Sequence, residues 1–433
     1  MRKTLTKNLS KRQVQQTKSN APDVIVIGGG VVGVCTAYYM NKAGINVTLL
    51  EQNRICSGSS WGNAGWLVPS HSVPLARPGS VTQGLKWMLN PESPFYIKPR
   101  PSLDLINWLL RFRRAANLSS LRKVLGPLVE LGEVSLQLYA ELEKEETSLN
   151  SHYAQKGLIA LYATTDWLKE GIEEAHLLSE FSVHSQTLDT EQVLDMEPAV
   201  KPTIAGGVYY PNEAHVKPDD LVKGLASIID ERGAKIHENT AVTGFSTSGG
   251  KIKSVLTTNG IFTADEVVLA TGAWSPRVAQ ELKLDLPIQP AKGYSISFEE
   301  ITNPPLFPLM LAESKVGVTP MGPVLRFAGT LELSGLNTDI NNRRLGAIRR
   351  AGDKFITTDI TNATEVVWCG MRPLTPDSVP IIGRTSQLDN LILATGHSMT
   401  GVTLGAVTGK LVTEIVSGQH TTVDINPFSP MRF

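Results

Sequence analysis

Three segments hold residue types that could do chemistry. The first is Trp368-Cys-Gly-Met-Arg372-Pro-Leu-Thr-Pro-Asp377, where an arginine interrupts an otherwise apolar approach. A guanidinium in such surroundings must find an anion. Its planar fork matches a carboxylate in bidentate fashion. Asp377 and the carboxylate of a small-molecule substrate are both suitable partners. The second segment, Gly396-His397-Ser-Met-Thr-Gly401, brings a histidine to a glycine turn. The third is Gly28-Gly-Gly30-Val-Val-Gly33, with Glu51 placed 18 residues after Gly33. Arg326, in Val-Leu-Arg326-Phe, is a weaker second anion-binding candidate; an ion pair on a strand surface is the expectation for it.

The elements that position these groups follow from the apolar pattern. Asp23-Val-Ile-Val-Ile reads as a strand, the glycines as a turn into a helix that Gly44 ends, and Val47-Thr-Leu-Leu-Glu51 as a second strand. Gly28 suits the tight turn, Gly30 lets backbone approach a pyrophosphate, and Gly33 lets the helix pack closely. The helix N-terminus favours phosphate, and Glu51 can accept from a ribose diol. A dinucleotide site is therefore predicted. Two further apolar strands end in Ala270-Thr271-Gly272 and Ala394-Thr395-Gly396. Ligands in open parallel sheets sit beyond the carboxyl ends of strands. Three glycine turns at one edge fit FAD, held along its length, better than NAD. Val32, Gln52, Ser59, Ser60, Asn63, Ala64, Gly65, Val242 and Trp274 are expected to complete the cofactor site. A helix running to about Val416 is expected to begin near Gly401, Val402 and Thr403. Its N–H groups would stabilise charge on a reduced flavin, with His397 beside the ring.

The rest of the chain reads as helices near Asp104–Arg114 and Leu121–Glu145, a helix at Leu168–Glu180, and one after Lys217-Pro218. From Pro287 to Val366 short alternating strands dominate. The fold class expected is α/β. It comprises a Rossmann-like FAD domain from discontinuous segments (22–100, 212–286, 377–433) and a β-rich α+β substrate domain (101–211, 287–376).

Composition bounds the remaining choices. The 433 residues carry 41 basic and 41 acidic side chains, which gives no reason to expect nucleic acid. The charge is uneven, with six basic residues and no acid in positions 1–20. This arm lacks the apolar core of a secretory signal. It suits a flexible tail, an anionic membrane contact or an organellar presequence. Cys35, Cys56 and Cys369 are far apart, so neither a disulfide framework nor a metal-binding cysteine pattern is expected. The expected location is cytoplasmic, with peripheral membrane association as an option.

Taken together, the motifs resemble the FAD-dependent D-amino-acid oxidase superfamily, and more narrowly bacterial D-amino-acid dehydrogenases. The matching residues are Val-Ile-Gly28-Gly-Gly30-Val-Val-Gly33, Asn63-Ala-Gly65, Leu85-Lys-Trp-Met88, Tyr210-Pro-Asn-Glu213, Lys292-Gly-Tyr294-Ser, Gly370-Met-Arg372-Pro-Leu-Thr-Pro-Asp377 and Thr395-Gly-His397. The resemblance implies oxidation of an amine next to a carboxylate, with hydride passing from Cα to flavin N5. It matches Arg372 to the carboxylate-binding arginine, Tyr294 to a residue close to the pocket, and His397 to the histidine beside the flavin. Cys369 is one residue too far from Asp377 to match the covalent flavin attachment of sarcosine-oxidase relatives, so non-covalent FAD is expected. A non-oxygen electron acceptor such as a quinone of the respiratory chain is expected too, with a glycine- or sarcosine-type oxidase and a non-catalytic flavoprotein subunit as alternatives. His215 and Ser398-Met399-Thr400 depart from the family pattern.

Overall fold

A computed structural model describes residues 22–88 and 93–433. The basic arm lies outside the described residues. The chain begins β1 (Asp23–Ile27), α1 (Val31–Lys42), β2 (Asn46–Leu50), β3 (Trp66–Leu67), α2 (Ser80–Met88) and β4 (Phe95–Ile97). Then come α3 (Leu103–Ala115), α4 (Leu118–Glu145), β5 (Leu158–Tyr162), α5 (Thr165–Ser179), β6 (Gln186–Leu188), α6 (Thr190–Met196) and β7 (Gly206–Tyr210). The middle holds β8 (Ala214–His215), α7 (Pro218–Glu231), β9 (Lys235–His237), β10 (Val242–Ser248), β11 (Lys251–Thr257), β12 (Gly260–Phe262), β13 (Glu266–Leu269) and α8 (Ser275–Gln280). Next are β14 (Gln289–Glu299), β15 (Leu309–Leu311), β16 (Val316–Met321), β17 (Val324–Leu333), α9 (Asn342–Phe355) and β18 (Thr364–Leu374). The last elements are β19 (Ile381–Arg384), β20 (Leu391–Thr395) and α10 (Gly405–Val416).

Two sheets dominate. The first has the order β19-β20-β13-β1-β2-β9, parallel throughout except for the β19–β20 pair. Its central strands β1, β13 and β20 are apolar along nearly their whole length because both faces are covered, one by α1, α7 and α10 and the other by the three-stranded β10-β11-β12 sheet with α8. The second sheet joins β18-β14-β17-β16-β15-β5-β7-β6, and β4 pairs with β17. It is mostly antiparallel and carries α9 on one face, packed on Ile296, Phe298 and Phe327. This is the expected mixed α/β architecture, with the two sheets built from interleaved segments. Two segments sit elsewhere than the expected division has them: α4, grouped with the substrate segments, packs Leu131, Tyr139 and Leu142 into the core of the first sheet. β4, which a division at residue 100 leaves with the first sheet, belongs to the second through its parallel pairing with β17.

Local signals account for the helix ends. Asn117 accepts from the Ser120 N–H and separates α3 from α4, while Thr164 caps α5 at Trp167. At the other end, Gly401–Leu404 form turns and α10 begins only at Gly405. The predicted helix start is thus four residues early. Among the described residues no helix is long and apolar enough to cross a membrane.

Candidate active site

A cleft of about 290 Å³ runs along the carboxyl ends of β1, β2, β13 and β20. The glycine turn forms one wall. Gly28 has φ of 113°, and a Cβ there would lie 2.5 Å from the Ala270 carbonyl oxygen. At Gly33 a Cβ would lie 1.8 Å from the Gly28 oxygen, so the turn and α1 fit only without side chains. Gly30 meets nothing closer than Ser60 Oγ at 3.3 Å, which leaves its backbone bare to the cleft. Ser60 itself accepts from the first N–H of α1 at 2.9 Å.

Glu51 closes this end. Its two carboxylate oxygens accept from the Gly29 and Asn53 N–H groups, at 2.7 and 2.9 Å. Those bonds aim the side chain and leave lone pairs free on both oxygens. The other two glycine turns are tied together. Ser275 Oγ lies 3.0 Å from Thr271 Oγ1 and 2.6 Å from Thr395 Oγ1. One hydroxyl therefore couples the ends of β13 and β20.

Of the sequence-predicted cofactor residues, Gly28, Gly30, Val32, Glu51, Gln52, Ser59, Ser60, Val242, Thr271, Gly272, Trp274, His397 and Gly401 line the cleft. Gly33, Asn63, Ala64, Gly65, Gly396, Val402 and Thr403 do not. Several of these hold the walls instead. Asn63 Oδ1 accepts from the Gly65 N–H, Val402 offers its carbonyl to Tyr139, and Thr403 Oγ1 donates to the Trp66 carbonyl. Thr240, Thr338, Cys369, Gly370, Met371 and Pro373 also line the cleft and were not expected. The last four stand on β18 beside Arg372, so the edge strand of the second sheet forms the far wall. Cys35, Cys56 and Cys369 are all free thiols.

On that strand Arg372 and Trp368 share one face. Ala291 pairs with Arg372, Gly293 with Gly370, and Ser295 with Trp368. A Cβ at Gly293 would lie 2.1 Å from the Arg372 guanidinium, and one at Gly370 would lie 2.0 Å from the Trp368 ring. The facing glycines are thus a floor on which both side chains lie flat. Trp61 packs against Trp368 with ring centroids 6.4 Å apart. Arg372 donates to the Thr330 carbonyl at 2.7 Å. That carbonyl is turned toward it where the β14–β17 register slips and Thr330 takes φ of 60°. No acid pairs with Arg372 among the described residues, and burial pulls the guanidinium down to about 10. Asp377, the acid closest to it in sequence, is bound by Arg432.

Tyr294 faces the other way. Side chains alternate across a strand, so the residue after Gly293 points away from Arg372. Its hydroxyl donates to Glu332 at 3.2 Å, within a buried cluster with Arg344 and Lys292. Burial and Glu332 push that phenol up. The structure therefore does not bring Tyr294 together with Arg372. His397 is at the cleft, but its Nε2 bonds Thr408 Oγ1 at 2.9 Å. Burial lowers it to about 3, so the ring is neutral. Its backbone bridges to Leu374, which joins the third glycine turn to β18.

Arg326 is not a surface residue. It is 2% exposed, pairs with Asp219 at 3.6 Å, and donates to the carbonyls of Trp61 and Asn63 at 2.9 and 3.0 Å. The expectation of a strand-surface pair is corrected to a buried one. Its cause is the loop 61–63, which needs donors for its carbonyls.

The model of the FAD dependent oxidoreductase family DAO matches residues 23–415. This chain belongs to that family. The family is FAD-dependent, and the residues lining the cleft fit that group: three glycine turns, a helix N-terminus and Glu51 follow one another along a single groove. The chain is 32% identical over 417 residues to a D-amino acid dehydrogenase of Neisseria meningitidis serogroup C, covering 95% of this chain and 99% of that one. A D-amino acid dehydrogenase of Methylobacterium sp. is 30% identical over 419 residues, covering 95% and 99%. Among solved structures, glycine oxidase from Geobacillus kaustophilus has a TM-score of 0.77 at 25% identity, covering 96% of this chain and 100% of that one. L-Proline dehydrogenase from P. horikoshii shares the fold, with a TM-score of 0.74 at 21% identity and coverage of 95% and 98%.

Proposed function

We propose that this flavoenzyme oxidises the Cα–N bond of a D-amino acid, or of a cyclic D-imino acid such as D-proline or hydroxy-D-proline, with the substrate carboxylate held by Arg372. One observation carries the reading: Arg372 lies on a glycine floor beside the cleft with no acidic partner among the described residues. The names of the curated relatives support the D-amino acid class. Bound FAD supplies a two-electron acceptor at flavin N5. The protein's share is orientation. Arg372 would fix the carboxylate, Thr330 holds the guanidinium in place, and the Trp61–Trp368 pair would wall the adjacent space. His397, neutral and bonded to Thr408, holds the turn rather than carrying charge. The imino acid product would hydrolyse to a 2-oxo acid, whereas a ring substrate would leave a cyclic imine.

FAD is held non-covalently in this reading; yellow colour staying with acid-precipitated protein would refute that. Electrons pass to an acceptor other than oxygen, such as a quinone, from a cytoplasmic protein whose basic arm touches an anionic membrane. Loss of liposome binding on deleting residues 1–20 tests the arm. The likeness to glycine oxidase favours a second reading, a glycine- or sarcosine-type oxidase that uses oxygen. Anaerobic mixing with D-amino acids, glycine, sarcosine, proline and hydroxyproline separates them. Bleaching by D-amino acids with dye reduction and little peroxide in air supports the dehydrogenase. Bleaching by glycine or sarcosine with stoichiometric peroxide supports the oxidase, and persistent yellow with every amine refutes both.

A further inference from the structure

Helix α3 has two apolar faces, and the protein covers one. Leu105 and Trp108 are buried, Phe112 stacks on Trp108 at 5.3 Å, and Trp108 Nε1 donates to the Leu374 carbonyl at 3.0 Å. That face keys the helix onto the strand carrying Arg372. On the opposite side Leu103, Ile106 and Leu110 are 78%, 50% and 52% exposed. Their spacing of three and four residues puts them in one stripe. Arg113 and Arg114, both exposed, follow Leu110 by three and four residues and so flank the stripe on either side. Leu118 at the start of α4 and Leu85 on α2 are exposed as well, at 56% and 62%. Helix α2 buries none of its residues and packs on β4, whose Phe95 and Ile97 share the small core under α3.

An apolar stripe on a solvent-facing helix marks an interaction surface. Charge decides the partner. Residues 77–123 contain nine basic side chains and two acidic ones; Arg77, Arg111 and Arg122 pair with Glu174, Asp285 and Glu180 from outside the segment, and the corner stays net positive. We infer that this corner of the protein, centred on Leu103, Ile106 and Leu110, docks onto an anionic lipid bilayer. The leucines enter the acyl boundary while Arg113 and Arg114 extend to headgroup phosphates, the arrangement of an interfacial helix. The contact is independent of the basic arm and of the substrate proposed above. It would set the face bearing β18 toward the membrane.

Vesicle flotation of the full-length holoenzyme tests this. Phosphatidylcholine vesicles containing half phosphatidylglycerol should carry the protein at low salt, and pure phosphatidylcholine vesicles should not. Leu103→Glu with Leu110→Glu should weaken flotation at least about tenfold and leave dye-linked turnover unchanged. Arg113→Ala with Arg114→Ala should weaken it about tenfold at low salt, with a smaller salt dependence. Flotation of the double glutamate variant at the wild-type level would overturn the proposal, since the arm alone would then bind. So would wild-type protein that ignores anionic vesicles. Light scattering showing a dimer that the glutamates split would assign the stripe to a second copy and overturn it equally.

Discussion

Arg432 holds Asp377. Its Nε donates to Oδ2 at 2.8 Å, and its Nη2 donates to the Val379 carbonyl at 2.6 Å. The acid nearest to Arg372 in the sequence is thereby occupied from 55 positions away. Arg372 keeps a neutral carbonyl as its partner and sits beside the cleft with its charge uncompensated. A half-buried cation without an anion is costly. A substrate carboxylate arriving there restores the balance, which gives binding its orientation.

Replacing this arginine should therefore separate substrate binding from cofactor binding. Arg372→Ala is expected to lower kcat/KM for amino acids by at least about a hundredfold, the scale of a lost buried charge pair. Flavin absorbance per mole of protein should stay at the wild-type value, because no glycine turn depends on this side chain. Arg372→Lys keeps charge but not the fork and should recover only part of the loss. Steady-state kinetics with the visible spectrum reads both effects.

Gly293 is the second test of the same geometry. Its φ lies outside the left-handed region, so alanine suits the backbone, yet the new Cβ would fall 2.1 Å from the guanidinium. Gly293→Ala should displace Arg372, raise KM at least about tenfold and spare flavin content. Wild-type kinetics for this variant would show that Arg372 does not need the glycine floor.

Gly293 also shows what a sequence can disclose and what it cannot. Each glycine of Gly28-Gly-Gly30-Val-Val-Gly33 stands at a fixed place in a local strand-turn-helix unit, so the cofactor end was legible. The glycine turns at Thr271 and Thr395 were legible too, but not the Ser275 hydroxyl that joins them. In Lys292-Gly-Tyr294 the eye goes to the phenol. Strand parity decides otherwise: the residue facing Arg372 is the glycine, and Tyr294 turns to Glu332. Parity depends on pairing with β18, 75 positions on in the case of Tyr294 and Cys369. Arg326 escaped for a similar reason. Its partners lie on the 61–63 loop and on α7, which only the folded chain brings together.

That convergence makes Arg326 a stability residue. Arg326→Ala would leave the buried Asp219 with Lys217 as its one cationic partner among the described residues, and three groups, Ser297 Oγ and the Trp61 and Asn63 carbonyls, without their donor. Breaking a buried pair costs about 3–5 kcal/mol. The variant should unfold at lower denaturant and release FAD more readily, because the loop beginning at Ser57 lines the cleft. Urea unfolding followed by flavin fluorescence measures both.

Glu213 predicts the pH response. One carboxylate oxygen accepts from the Ser70 N–H at 3.0 Å, and the other is buried without a hydrogen-bond partner among the described residues. Burial raises the group from 4.5 to about 8, so the folded protein keeps a proton that the unfolded chain releases. Between those values the native state binds more protons, and stability must fall as pH rises. Gln at this position retains the oxygen that meets Ser70 and cannot ionise. Glu213→Gln should therefore match or trail the wild type near pH 5 and gain on it steadily toward pH 8.5. Buried histidines act with the opposite sign: His397 and His215 are lowered to about 3 and about 4, so both lose stability as pH falls below their ordinary value. Thermal unfolding of wild type and Glu213→Gln across pH 5–8.5 isolates the carboxyl, since the histidines are common to both. A difference in Tm that stayed constant over that range would show that Glu213 is ionised in the folded protein.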